Sequence, residues 1–166
     1  MASNDEAAMF ARSPEDLVTR EAMLAQSGLA FMQDILAGRT PHPPIGEGLN
    51  YRLDAVEDGR VVFRGTALFA HTNPMGTVHG GWYGTLLDSA MACAVMTKVP
   101  QGSAYTTLEY KVNLTRNLPV GVEILCEGVV LHAGRSTGVA TGALRGAADG
   151  RLYATGSTTC MIMALE

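Results

Sequence analysis

The sequence predicts an α+β fold, an antiparallel β-sheet wrapped around one long central helix, and three observations carry that reading. Residues 80–97 contain no proline, are rich in Ala, Leu and Met, and are apolar on nearly every side, as a helix buried all round must be. Most of the chain after Gly102 alternates apolar and polar residues with a period of two, the mark of half-buried strands. A single wholly apolar helix in a chain of strands can bury its surface only within a curled layer of sheet.

The elements follow in order. Ser13, Pro14 and Asp16 make a helix start, with Ser13 as N-cap, Pro14 at the first helical position and acidic residues at the positive end. Leu17, Leu24, Phe31 and Ile35 supply an apolar stripe, so one helix is expected over about residues 14–37, stopped by Gly38. The run Thr40-Pro41-His42-Pro43-Pro44 is a stiff connector. The chain therefore divides into a helical, Pro-rich lead-in, residues 1–48, and a sheet-and-helix domain, residues 49–166, within one globular unit. Leu49-Tyr51-Leu53 and Val61-Phe63 alternate on either side of Asp58-Gly59, which predicts a β-hairpin. After the helix, Thr106, Leu108, Tyr110, Val112 and Leu114 share one strand face, and Thr107, Glu109, Lys111, Asn113 and Thr115 the other. Strands over residues 120–131, 136–144 and 151–163, parted by turns at Leu118-Pro119, Ala133-Gly134 and Asp149-Gly150, extend this into an expected four-strand meander.

Composition narrows the function. A chain of 166 residues with 47% hydrophobic and 17% charged side chains is neither disordered, collagenous nor a coiled coil. It is long enough to bury a core without a metal or disulfide staple. A net charge of −4 leaves no electrostatic footprint for nucleic acid or an anionic membrane. Cys93, Cys126 and Cys160 lie among apolar neighbours with no C-x-x-C spacing, so they read as core thiols of a reducing compartment and not as zinc ligands. Asp5 and Glu6 stand where a secretory signal needs positive charge, and a cytoplasmic location is expected. The longest uncharged stretch, residues 65–87, is interrupted by His71, Asn73, Pro74 and His79 and cannot span a bilayer.

Chemistry concentrates at the start of the central helix. Asp88 is the sole carboxylate between residues 65 and 97, set mid-helix among Leu86, Leu87, Ala90 and Met91 with no Lys or Arg within one turn. Burying it is costly and Asp is a poor helix former, so a structural role alone explains it badly. Upstream, Gly80-Gly81 at the helix N-terminus leave backbone N–H groups that a carbonyl oxygen can approach closely, the makings of an oxyanion hole.

The string Asn73, His79-Gly80-Gly81, Asp88-Ser89-Ala90 resembles the signature of hotdog-fold acyl-CoA thioesterases of the phenylacetate-degradation (PaaI-like) group. The lead-in at residues 38–45, the strand Thr107-Leu108-Glu109-Tyr110 and the turn Gly134-Arg135 extend the resemblance over most of the chain. It implies a hotdog, paired into homodimers and commonly homotetramers, that hydrolyses an acyl-CoA thioester with no metal and no cofactor beyond the CoA of its substrate. It further implies Asp88 as the base or the nucleophile, and Gly80, with Gly81 as a second donor, holding the oxyanion. Asn73 and His79 would orient the carbonyl, the water or the leaving sulfur, and the Thr107 hydroxyl would position the water. Arg116 and Arg135 are candidates for CoA contact and Trp82 for the acyl tunnel, while solvated strand ends and core packing are the plainer readings. His71 and His132 read as surface or satisfied core residues. Two other functions compete: a hotdog hydratase or dehydratase with His71 as its working group, and a non-catalytic acyl-CoA-binding protein. The Asn plus His-Gly-Gly pattern fits hydrolysis better, and a binding protein has no need of a buried Asp. The acyl group is not legible. Residues 80 and 88 of one helix lie eight rises, ~12 Å, apart, so one carbonyl cannot touch both. The site is expected to combine Asn73, His79 and Gly80 of one protomer with Asp88 and Thr107 of its twofold mate.

Overall fold

The computed structural model describes residues 9–165. Three short helices lead in: α1 (Arg20–Leu24), α2 (Gly28–Leu36) and α3 (Pro44–Gly48). They are followed by strands β1 (Tyr51–Glu57) and β2 (Arg60–Thr66), the long helix α4 (Gly80–Met96), and strands β3 (Ser103–Leu114), β4 (Glu123–Ala133), β5 (Thr137–Gly146) and β6 (Leu152–Ala164). All six strands join one antiparallel sheet in the order β1-β2-β4-β5-β6-β3. Helix α4 packs against β2 to β6, and Leu86, Leu87, Met91 and Val95 on it are fully buried against Val61, Ile124, Leu144 and Ala154. Among the described residues no helix is long and apolar enough to cross a membrane.

The sheet meets the helix through a row of glycines. Gly128, Gly142 and Gly156 sit side by side on β4, β5 and β6. A Cβ at Gly128 would overlap the Ala90 carbonyl, and one at Gly142 or Gly156 would press on Met91 at 2.8 and 2.9 Å. Their lack of side chains lets α4 lie directly on the strands.

Two expectations are corrected. The single helix over residues 14–37 is broken three ways, because Ser13, Thr19 and Ser27 each start a new turn: Ser13 caps only a 3₁₀ turn, Thr19 caps α1 and Ser27 caps α2. Gly28 marks the last break, its N–H donating to the Val99 carbonyl at 2.9 Å where α2 crosses the end of α4. The four-strand meander is also wrong in its first strand, since β3 pairs with β6 at the sheet edge and only β4-β5-β6 form a meander. Residues 115–122 are no hairpin turn; they carry the chain back across the molecule to β2. Leu118 is buried on the way with its N–H on the Tyr83 hydroxyl, and the Gly121 N–H bonds the Ala67 carbonyl. The Asp58-Gly59 hairpin is present, with Glu57 opposite Arg60 and Gly59 at φ +80°. A bulge at Leu108 interrupts the expected alternation of β3, so that Thr107 before it and Tyr110 and Leu114 after it all turn toward α4.

Candidate functional site

The approach to α4 is built by Asn73. Its side-chain carbonyl accepts the N–H groups of Met75 (2.9 Å) and Thr77 (3.3 Å), and its amide donates to the Thr77 hydroxyl (2.8 Å), closing the turn that aims the chain at the helix. His79 then acts as N-cap, its Nδ1 accepting the Gly81 N–H at 2.9 Å. Because Nδ1 accepts, the ring proton resides on Nε2, on an exposed imidazole. The Gly81 amide is thus occupied, which leaves Gly81 no free donor in this arrangement. The Gly80 N–H makes no hydrogen bond among the described residues. Gly80 opens on a cavity of about 420 Å³ shared with Asn73, Tyr83, Leu114, Arg116 and Asn117.

Eight residues along α4, Asp88 is half-buried, and Thr107 donates its hydroxyl to the carboxylate Oδ1 at 3.1 Å. None of the ion pairs among the described residues involves Asp88. Burial pushes its carboxyl above the usual Asp range, and the Thr107 hydrogen bond partly opposes that. Nearby Cys93 is pushed up to about 12 by its own burial, so it stays a neutral thiol. Ser89, the next residue, turns away to pair with the Tyr51 hydroxyl at 3.0 Å.

Residues 80, 84 and 88 share a helix face, and β3 supplies the opposite wall. A Cβ on Gly80 would lie 3.3 Å from the Leu114 methyl, and one on Gly84 would lie 3.6 Å from the Tyr110 hydroxyl, while Thr107 faces Asp88. Among the described residues strand β3 ends the sheet, paired on one side only, and Leu108, Tyr110 and Leu114 on it stay about half exposed.

The other predicted positions scatter. Arg116 shares the Gly80 cavity, whereas Arg135 lies exposed in the β4–β5 turn, next to strand residues that pack on Val95 near the far end of α4. Trp82 points to the opposite side of α4: it is buried, its indole N–H donates to the Leu49 carbonyl at 2.9 Å, and its ring stacks on His71. With His71, Leu49 and His79 it borders a second cavity of about 340 Å³. His71 accepts the Leu68 N–H at Nδ1 and reaches the Gly48 carbonyl with Nε2, a ring committed to the fold. The sequence reading passed over Tyr110, Leu114 and Asn117 as site neighbours. Tyr110 and Leu114 carried a signal, an apolar face running to the end of a strand; Asn117 carried none.

The family model described as Thioesterase superfamily matches residues 75–154. Acyl-coenzyme A thioesterase 13 of Mus musculus is 30% identical over 89 residues, 54% of this chain and 63% of that protein, so the match spans less than two thirds of the relative. A thioesterase family protein from Silicibacter pomeroyi superposes with a TM-score of 0.72 at 28% identity, covering 83% of this chain and 99% of that one. A phenylacetic acid degradation-related protein from Ralstonia eutropha gives 0.71 at 28% identity, covering 79% and 98%. The six-strand antiparallel sheet with its long central helix is the hotdog architecture these proteins share. Residues 75–154, which hold His79, Gly80, Asp88 and Thr107, are thus the part of the chain that is similar to the thioesterase superfamily.

Proposed function

We propose that this protein hydrolyses acyl-CoA thioesters to a free acid and CoA at sites shared between two copies of the chain. One observation carries the reading: the open amide of Gly80 and the desolvated carboxylate of Asp88 lie on one helix face but ~12 Å apart, beside a sheet edge left unpaired. A second copy whose α4 runs antiparallel alongside would bring its Asp88 to the Gly80 of the first.

In that arrangement the thioester oxygen accepts the Gly80 N–H, where the positive end of α4 favours the charge that develops on it. Asp88 of the partner subunit either takes a proton from the attacking water or itself attacks the carbonyl carbon to give an anhydride that water then opens. Thr107 occupies Oδ1, which leaves Oδ2 for the water. The Nε2–H of His79 is free to donate to the departing sulfur while Nδ1 caps the helix. Arg116 and Asn117, on the outer side of Gly80, would meet the CoA moiety. This chemistry asks for no cofactor beyond the CoA of the substrate. The three thiols, two buried and one half-buried with its proton firmly held, suit a reducing cytoplasm. The homotetramer that the resemblance implies would be two such dimers. Hydratase chemistry routed through His71 is disfavoured by the two hydrogen bonds that hold both of its ring nitrogens.

The test mixes two inactive variants, Asp88→Asn and Gly80→Val, after dissociation and reassembly. Half of randomly paired dimers are mixed and each of those rebuilds one of two sites, so roughly a quarter of wild-type acyl-CoA hydrolysis should return. No recovery in dimers shown by mass to be mixed would mean that each chain builds its own site.

A further inference from the structure

Two copies that place Gly80 beside Asp88 of the partner subunit, twice over, must cross their α4 helices antiparallel with residue 84, midway between, facing its own copy on the twofold axis. Strand β3 follows the same symmetry, because Leu114, Tyr110 and Thr107 stand opposite Gly80, Gly84 and Asp88 in turn. Resting on the shared-site reading, we propose that the two Tyr110 side chains meet on this axis and close the inner end of each acyl pocket, which restricts the enzyme to short acyl groups.

The polarity of the surroundings sets the direction of the acyl chain. On the outer side of Gly80 the cavity is lined by Asn73, Thr115, Arg116 and Asn117, suited to a polar, phosphate-bearing CoA. On the inner side come Leu114 and then the Tyr110 ring, laid over a helix position that has no side chain. An acyl group therefore runs inward along α4 from the amide that holds its carbonyl. From Gly80 to Gly84 is four rises, ~6 Å, room for roughly five carbons before the phenol. Tyr110 is half exposed in one copy of the chain, so it owes little to the core and is available as a wall once a second copy arrives.

The experiment measures kcat/KM for a series of saturated acyl-CoAs, from butyryl to dodecanoyl, with wild type, Tyr110→Phe and Tyr110→Ala. Tyr110→Ala should raise dodecanoyl-CoA hydrolysis relative to butyryl-CoA by about tenfold or more, and Tyr110→Phe, which keeps the ring, should keep the wild-type profile. A second readout places the residue independently of activity. Paired across the axis, two copies of residue 110 come within disulfide reach, whereas those of residue 114 stand ~26 Å apart. Mild oxidation should thus link Tyr110→Cys into covalent dimers, but not Leu114→Cys and not the wild type with its own thiols. An unchanged chain-length profile in Tyr110→Ala, or dimers that do not link through residue 110, overturns the proposal. Wild type that hydrolyses neither a member of the series nor an aromatic acyl-CoA overturns the thioesterase reading itself and the wall with it, a failure seen before any variant is made; hydrolysis of the aromatic ester alone overturns only the short-acyl wall.

Discussion

Asp88 sits between two influences of opposite sign: burial that favours its neutral form, and the Thr107 hydroxyl that favours its charged one. With the folded pKa raised above that of the unfolded chain, the folded state keeps the proton where the unfolded chain has lost it. The associated stability is full below the ordinary Asp range and is lost as pH rises through the raised value. Asp88→Asn keeps an acceptor for Thr107 without the charge, so it should raise Tm at neutral pH, with the gain fading as pH falls through the raised value and gone below the ordinary Asp range. The same change should cut kcat by about 10²- to 10⁴-fold, the share expected of a positioned base. Scanning calorimetry and a thiol-release assay check both, and a lower Tm at neutral pH would make the carboxylate a structural residue. Thr107→Val removes the influence that lowers the pKa, so the acid limb of the kcat/KM profile should move to higher pH; an unmoved limb would detach Thr107 from the titrating group. At this scale the sequence was informative wherever one residue type was out of place, as with a carboxylate in an apolar helix or a glycine at a helix start. It was silent on local hydrogen bonding. Nothing in His79-Gly80-Gly81 reveals that the imidazole takes the second amide and leaves the first, nor that the Trp82 indole is tied to Leu49.

Helix α4 is held on its sheet by backbone-to-backbone approach at Gly128, so even a methyl group there is costly. Gly128→Ala must displace either the strand or the helix at Ala90, where both sides are backbone and fully buried, and should destabilise the protein by about 3 kcal/mol. Denaturant unfolding measures this; a change below about 1 kcal/mol would show that the glycine row is not what sets the helix height. The limits of α4 were legible because glycines open it and the uninterrupted apolar run defines its length. The β1–β2 hairpin was legible because Asp58-Gly59 specifies its own turn. Pairing between distant strands was not: β3 and β6 find each other across two intervening strands, and no local pattern in either marks its partner. The Leu108 bulge was hidden for a related reason. An unbroken alternation through residues 106–114 hides a one-residue slip that the partner strand alone imposes. The lead-in failed differently, since its apolar stripe is genuine but three capping residues divide it into separate turns.

Taken as a whole molecule, the proposed dimer rests on two features of one chain that coincide in space. Among the described residues its sheet ends on a twelve-residue strand with one ladder of backbone groups unpaired, and that strand exposes Leu108, Leu114 and Tyr110 at 56%, 54% and 47%. A long apolar edge of this kind is a liability in a lone monomer and an asset at a twofold interface. Along the same edge lie Gly80 and Asp88, the two groups proposed for the chemistry, ~12 Å apart and so too distant to act on one carbonyl. If pairing through β3 completes both the sheet and the site, activity belongs to the dimer alone. Specific activity should then be constant at high protein concentration and fall on dilution in step with the dimer fraction, with saturating substrate shifting the midpoint to lower concentration because it binds only the assembled site. Sedimentation velocity across the same concentrations supplies the dimer fraction. Specific activity that holds steady while the protein separates into monomers would show that a single chain contains all it needs, and Asp88 would then have to be replaced by a carboxylate or water site within reach of its own Gly80.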